Sequence, residues 1–295
     1  MIKAFMYHDI RDVKDTLFKS RITLKSFLRV DQFKSQLSYI KKKYKIISIY
    51  DLPNIDDNRD YAILTFDDGL KDHYRVASML SDEKIPASFF IPVNAVENRK
   101  IIKSHKIQFI LDSAEEKWVV RDIFNSLKAF GEEERGLWKT YSLSKWKNNW
   151  WSPEMVFVTN ILRTHKKGSE LTDLLFADLV TSDEASFCED FYLTENNVSD
   201  LVSSNMQVGG HGYLSESLTL LDQENDIAKS LNYVKKFHKN NLAFSYPNGS
   251  YDSSTLRIME ELGCKFAFTT KQIDVDNKAS FLEIPRYDAP QYLPL

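Results

Sequence analysis

The segment LTFDDG at residues 64–69 ends an apolar run with two adjacent carboxylates and a glycine. The apolar part is typical of a buried strand, and the glycine marks a tight turn after it. Adjacent side chains at a strand end point in different directions, so Asp67 and Asp68 can take different tasks. One carboxylate can bind a metal while the other accepts a proton. The alternative interpretation is a polar turn without chemistry.

Four further motifs place a polar residue at the carboxyl end of a candidate strand. These residues are His8, His211 between two glycines, Ser245 before a Tyr-Pro-Asn-Gly turn, and Arg286 in a Pro-Arg-Tyr-Asp motif. In a barrel of parallel strands the carboxyl ends share one face, and that face carries the active site. The motifs together therefore predict a single site.

The two flanks of the chain alternate short apolar strands with amphipathic helices. The predicted strands cover residues 3–7, 45–49, 61–66, 87–91, 242–245 and 265–268. Predicted helices begin at the N-caps Asp31, Asp222 and Asp252, and the last one ends before Gly263. This alternation predicts an α/β fold in which crossover helices join parallel strands.

The middle region, from about residue 97 to 195, has a different composition and is predicted to be mainly helical. All five tryptophans fall between residues 118 and 151. We interpret the region as a helical insertion within a single domain of residues 1–295. In one interpretation the insertion packs on the barrel. In the other it covers the substrate as a lid, with tryptophan rings stacked on sugar faces.

Composition excludes several classes of protein. The 39 basic and 42 acidic residues give a net charge of −3, which argues against binding nucleic acid or another polyanion. Cys188 and Cys264 have no metal-ligand spacing and are predicted to be buried. The sequence has no run of 18 apolar residues, so no membrane span is predicted. The N-terminus is charged too early for a secretory signal, which predicts a cytoplasmic location. Composition does not specify an oligomeric state.

Three motifs resemble those of a known family. They are TFDDG at residues 65–69, ASFFI at residues 87–91, and the Gly-His pair ending at His211. Together they resemble the polysaccharide deacetylases (NodB homology, carbohydrate esterase family 4). The Tyr-His pair ending at His8 resembles the branch that contains biofilm poly-N-acetylglucosamine deacetylases. The resemblance covers roughly residues 3–95 and 200–290.

The resemblance implies a distorted (β/α)₇ TIM-like barrel that removes N-acetyl groups from sugars with a divalent metal, zinc being the expected ion. By this resemblance Asp67 is the general base, and Asp68 and His211 are metal ligands. His8 corresponds to the general acid. The family often has an arginine where Ser245 stands, and Arg286 is expected to supply that charge from another strand end. The implied partner is a carbohydrate of cell-surface polysaccharide or glycan precursor metabolism.

One departure from the family pattern affects the metal. The family has a second histidine four residues after the first, and this chain has Ser215 there. A neutral hydroxyl is a poor replacement for imidazole on zinc, so a weakened or absent metal is expected. Glu216 is an alternative ligand. His73, on the helix after LTFDDG, is interpreted as a packing or helix-surface residue.

The departure leaves three functions open. The first is a deacetylase with an altered metal site. The second is a catalytically silent barrel that binds a glycan or a partner. The third is a metal-independent amide hydrolase that uses Asp67 and His8. The retained set of Asp67, Asp68, His8 and Arg286 favours an enzyme.

Overall fold

The structure, a computed structural model, describes residues 1–12, 27–55, 59–143 and 151–294. The chain forms two compact units. The first contains the described residues up to Lys100 and those from Cys188 onward. The second contains the described part of Ile101–Phe187. This division into two units does not test the prediction of a single domain with a helical insertion at about residues 97–195, which stays a prediction.

The first unit is built on a curled parallel sheet. The strands are β1 (Ile2–Tyr7), β2 (Lys45–Ile46), β3 (Tyr61–Phe66), β4 (Ser88–Ile91), β5 (Gln207–Gly210), β6 (Leu242–Ser245), β7 (Cys264–Phe268) and β8 (Tyr287–Asp288). They follow the order β7-β6-β5-β4-β3-β1-β8, and β2 pairs with β3. All pairings between these strands are parallel, which confirms the predicted α/β fold with a distorted barrel.

Helices connect these strands and also make up most of the second unit. The first unit contains α1 (Val30–Lys43), α2 (Asp72–Asp82), α3 (Val93–Glu97), α10 (Glu195–Ser203), α11 (Gln223–Val234), α12 (Ser253–Glu261) and α13 (Ala289–Tyr292). The second contains α4 (Lys103–Ser113), α5 (Glu116–Lys128), α6 (Glu134–Tyr141), α7 (Pro153–Thr164) and α8 (Gly168–Leu179). Helix α9 (Glu184–Phe191) runs from the second unit into the first. Short 3₁₀ helices lie at Ile49–Asn54, Leu218–Leu220 and Pro247–Gly249.

Local signals in the sequence predicted most helix ends. Asp222 and Asp252 are N-caps whose carboxylates accept the N–H groups of Asn225 and Thr255. Gly263 follows the last residue of its helix with φ of +79°, where glycine is favoured.

Two local predictions were wrong. Asp31 is not an N-cap, because α1 begins at Val30 and Arg29 occupies the cap position. The capping interaction there is made by Gln32, whose side chain accepts the N–H of Arg29. The strand predicted at 45–49 ends at Ile46, because Ser48 caps the 3₁₀ helix that follows by accepting the N–H of Tyr50.

Alternate residues of the strands separate two cores. Phe5, Leu64 and Phe89 pack towards the helices, whereas Ile63 and Phe90 pack in the interior of the curled sheet. Every residue of β1, β3, β4, β5 and β6 is buried, as expected for parallel strands covered on both faces. Polar residues that continue the inner pattern past a strand end therefore converge on the inside of the barrel.

The segment before β8 links the two edges of the sheet. On the β7 side, Ile284 donates its N–H to Ala267 and accepts the N–H of Thr269, both at 2.8 Å. On the other side, β8 pairs with β1. This connection closes the barrel and carries Arg286 between the two edges.

The second unit has its own aromatic core. Phe109, Phe157 and Phe176 are fully or almost fully buried, and the ring of Trp138 stacks on Phe157 at 5.0 Å. Trp118 is half exposed. Trp146 and Trp150 lie outside the described residues. The choice between a packing role and a lid stays a prediction.

Both cysteines are buried, as predicted, and neither forms a disulfide bond within the described part of the chain. Within the ranges that the structure describes, none of the helices combines the length and the apolar character that crossing a membrane requires.

Candidate active site

Strand periodicity places the site residues on the inner face of the barrel. Ile63 and Ala243 belong to the inner core. Thr65 and Asp67 lie two and four residues after Ile63, and Ser245 lies two residues after Ala243. All three polar residues are buried. A period of two therefore explains why they face one another at the carboxyl ends of neighbouring strands.

The turn after β3 depends on unusual backbone angles. Asp68 and Gly69 have φ of +73° and +57°. A Cβ on Gly69 would lie 3.0 Å from Cδ of Pro92, so this position has little room for a side chain. The carboxylate of Asp67 pairs with a buried arginine, whereas that of Asp68 lies beside a histidine. The two carboxylates thus have different surroundings, as the sequence pattern predicted.

The buried guanidinium of Arg286 forms two hydrogen bonds with the carboxylate of Asp67. Arg286 donates to Oδ1 of Asp67 from Nη1 at 2.9 Å and to Oδ2 from Nη2 at 2.8 Å. The hydroxyl of Ser245 also donates to Oδ2, at 3.0 Å. The remaining donors of Arg286 reach Oγ1 of Thr65, the carbonyl of Thr269 and Oγ of Ser245. This is the planar two-bond geometry that arginine forms with carboxylates.

The charge of Arg286 determines the ionisation of Asp67. Burial is the largest single influence and alone would raise the pKa of this carboxyl group, but the guanidinium and two nearby histidines together outweigh burial and the pKa is lowered. These histidines are His211 and His8. Asp67 is therefore ionised at neutral pH.

His211 links Asp68 to the same network. Its Nε2 lies 3.4 Å from Oδ1 of Asp68, and its Nδ1 donates to the carbonyl of Ser245 at 2.9 Å. Burial would lower the pKa of His211, but the nearby carboxylates of Asp67 and Asp68 outweigh it and raise the pKa. Through Ser245, the structure thus joins Asp67, Asp68, His211 and Arg286 in one cluster.

The turn after His211 is held by a neighbouring helix. The carbonyl groups of Gly212 and Tyr213 accept the N–H groups of Val93 at 3.2 Å and Asn94 at 3.0 Å. At its end Ser215 is 5% exposed and has φ of +55°. The serine that replaces the family histidine is therefore buried in a fixed turn beside the cluster.

The side chains at this site do not make up a complete metal site. Asp68 and His211 are close enough to share an ion, and Ser215 offers a hydroxyl. Among the described residues, no group of three His, Cys, Asp or Glu side chains is placed to hold a metal ion. A structural or catalytic zinc site normally has at least three such ligands. The residues present therefore do not fit a tightly bound zinc ion.

His8 continues the inner pattern of β1 and is tied down through its backbone. Its carbonyl accepts a hydrogen bond from Nε2 of His73 at 2.8 Å. Its ring interacts electrostatically with Asp67 and Asp288. Its Nδ1 is buried and has no hydrogen-bond partner within the described part of the chain. The residue as a whole is only partly buried, so it can still meet a group that enters the site.

His73 is a packing residue in the structure. Its ring is fully buried and meets Phe66 edge-on at 5.6 Å. Burial lowers the pKa of His73 to about 4, so the ring is neutral at physiological pH. The neutral ring of His73 donates from Nε2 to the carbonyl of His8 and thereby supports the backbone of that residue.

Sequence reasoning assigned no role to three residues of the site. Thr65 and Asp288 appeared only inside the quoted motifs, and Asp226 was not singled out at all. Ser245 was identified as a strand-end residue, but its hydrogen bond to Asp67 was not predicted. The inner parity of Thr65 and Ser245 was a usable signal. The contacts of Asp226 had no signal in the sequence.

Comparisons with known proteins find similarity in structure only. No family profile and no curated protein matches the sequence. The Streptococcus pyogenes deacetylase PplD, solved in complex with acetate, matches with a TM-score of 0.58 and 16% identity, over 97% of this chain and 91% of that chain. A polysaccharide deacetylase from Bacillus cereus matches with a TM-score of 0.57 and 14% identity, over 99% and 67%. A de-N-acetylase from Aggregatibacter actinomycetemcomitans matches with a TM-score of 0.51 and 13% identity, over 98% and 95%. The chain therefore has the NodB-like fold of the polysaccharide deacetylases, which confirms the fold that the motifs implied.

Proposed function

We propose that this protein is a hydrolase that removes an N-acetyl group from a sugar of a polysaccharide or its precursor. The main support is the buried pair of Asp67 and Arg286 beside Asp68 and His211, at the carboxyl ends of parallel strands. Active sites of parallel barrels lie at this end. The structural neighbours include a polysaccharide deacetylase, and PplD was solved with acetate, the acid that deacetylation releases.

In this proposal Asp67 takes a proton from the attacking water. The carboxylate has room for about four acceptor interactions. Oδ2 already accepts from Arg286 and Ser245, whereas Oδ1 accepts from Arg286 alone. Oδ1 is therefore the oxygen with the greater capacity to accept the proton. The lowered pKa keeps Asp67 ionised but makes it a weak base, so positioning of the water has to supply much of the rate.

His8 is proposed to protonate the departing amine. An amine leaves badly without a proton, so a positioned acid is needed at neutral pH. The nearby carboxylates of Asp67 and Asp288 and the partial exposure of His8 support this role. His73 would hold the backbone of His8 in place.

Asp68 and His211 are proposed as an incomplete metal-binding pair. The resemblance implies a divalent metal, but the third ligand is missing at Ser215. We therefore expect the natural protein to bind zinc weakly.

Ser215→His should strengthen zinc binding by roughly tenfold or more, a bound taken from the effect of losing groups that merely support metal ligands. The new imidazole would complete a three-ligand site with Asp68 and His211. Histidine is among the residues that tolerate a positive φ, so the turn can accept it. Calorimetric titration of both proteins with zinc measures the change.

Ser217→His is the matched control, because it places an imidazole on the same loop two residues further on. It should leave zinc affinity unchanged. Tight, stoichiometric zinc binding by the natural protein would contradict the weakened site, and Glu216 would then be the first ligand to test.

The assay for the proposed function measures acetate released from N-acetylglucosamine oligomers, with and without added zinc after dialysis against a chelator. Release that requires zinc supports the deacetylase with an altered site. Equal release without metal supports the metal-independent hydrolase. Binding of the oligomers without any release would instead support the silent glycan-binding barrel. The cytoplasmic location stays a prediction.

A further inference from the structure

Asp226, in the first turn of α11, is a buried carboxylate whose contacts lie in the turn after His211. Its Oδ1 accepts the N–H of Tyr213 and its Oδ2 accepts the N–H of Leu214, both at 2.9 Å. The residue is only 5% exposed. Among the described residues no lysine or arginine forms a salt bridge with it.

A buried carboxylate without a cationic partner is unfavourable. Burial raises the pKa of Asp226, which reflects this penalty. The two N–H donors and the amino end of α11 offset part of it, since helix amino ends favour negative charge. An asparagine in the same orientation would present its NH₂ group, a donor, to one of the two N–H groups, so that hydrogen bond would be lost.

The same carboxylate also limits the shape of the turn. Gly212 has φ of +73°, and a Cβ there would lie 2.9 Å from Oδ1 of Asp226. Asp226 thus accepts two N–H groups of this turn. Two carbonyl groups of the same turn accept N–H groups from the start of α3.

We infer that Asp226 is a positioning residue of the active site, which fixes the turn carrying His211 and Ser215 through the backbone of Tyr213 and Leu214. Its effect on catalysis rests on the proposed function, whereas its effect on the turn does not. Because these hydrogen bonds hold the turn, the Ser215→His variant should find its new ligand already oriented.

The test compares Asp226→Asn with Asp222→Asn. Asp222 is the matched control, because its carboxylate also accepts a backbone N–H of α11 but does not touch the turn. Asp226→Asn should speed hydrogen exchange at the amides of Tyr213 and Leu214 by roughly tenfold. In the Ser215→His background it should weaken zinc binding by roughly tenfold, the usual effect of losing a group that supports a ligand. Asp222→Asn should change neither quantity.

Acetate release gives a third readout. Asp226→Asn should lower kcat/KM by roughly tenfold or more, and Asp226→Glu, which keeps two acceptor oxygens, should recover part of the loss. Unchanged exchange and unchanged zinc affinity in Asp226→Asn would overturn the inference. If this variant does not fold, the natural protein decides: exchange at Tyr213 and Leu214 as fast as in an exposed loop would also overturn it. A natural protein that releases no acetate would refute the proposed function, while the exchange and zinc measurements would still decide the role of Asp226.

Discussion

Asp67→Asn should lower the kcat of acetate release by roughly 10²–10⁴-fold, the usual contribution of a general base. The amide has nearly the same shape as the carboxylate but cannot take the proton from water. It also turns an NH₂ group towards a donor of Arg286 or Ser245, which disturbs the network around it. Steady-state kinetics on N-acetylglucosamine oligomers, with circular dichroism to establish folding, measure the effect.

Asp274→Asn is the control for this substitution. It removes another carboxylate that is paired with a cation, Lys3, but lies outside the Asp67 network. Its activity should stay close to that of the natural protein. Near-normal turnover by Asp67→Asn would refute the general-base role.

Arg286→Met should lower the free energy of unfolding by about 3–5 kcal/mol at neutral pH, because removing one partner leaves the other as an uncompensated buried charge. Methionine fills a similar volume but gives Asp67 no donor. Denaturant unfolding of the natural protein and the variant measures the difference. The double variant Asp67→Asn/Arg286→Met removes both charges and should recover part of the loss, which a double-mutant cycle resolves.

The loss of stability in Arg286→Met should depend on pH in a defined direction. In the natural protein the pKa of Asp67 is lowered. Its pairing therefore contributes stability above the unfolded pKa, and this contribution is lost as the pH falls through the folded pKa. In Arg286→Met, burial raises the pKa of Asp67, so acid relieves the buried charge. The stability gap between the two proteins should narrow as the pH falls from 7 towards 4. A gap that does not change over this range would contradict the charge-based explanation.

Much of the fold was predictable because its signals are local. The LTFDDG segment, the caps Asp222 and Asp252, and the alternation of strands and helices each depend on a few neighbouring residues. The failures were also local. At the start of α1, the capping interaction is made by Gln32 and not by Asp31. The strand predicted at residues 45–49 is shorter than expected because Ser48 caps the 3₁₀ helix that follows.

The sequence by itself determined which polar residues end the strands, and a resemblance to deacetylases assigned them roles. It also showed that Ser215 stands where a metal ligand is expected. Only the tertiary structure decided how these residues meet. Arg286 forms two hydrogen bonds with Asp67 across 219 positions of sequence because the barrel closes between β7 and β1.

The role of Asp226 also could not be predicted from the sequence. Nothing in the helical pattern of α11 marks it as different from its polar neighbours, yet its carboxylate holds the turn after His211. Local propensity depends on residues close in sequence, whereas a hydrogen bond between a helix and a distant turn depends on where packing places the helix. The residue types at the site are therefore determined by the sequence, and their orientation by the closed barrel.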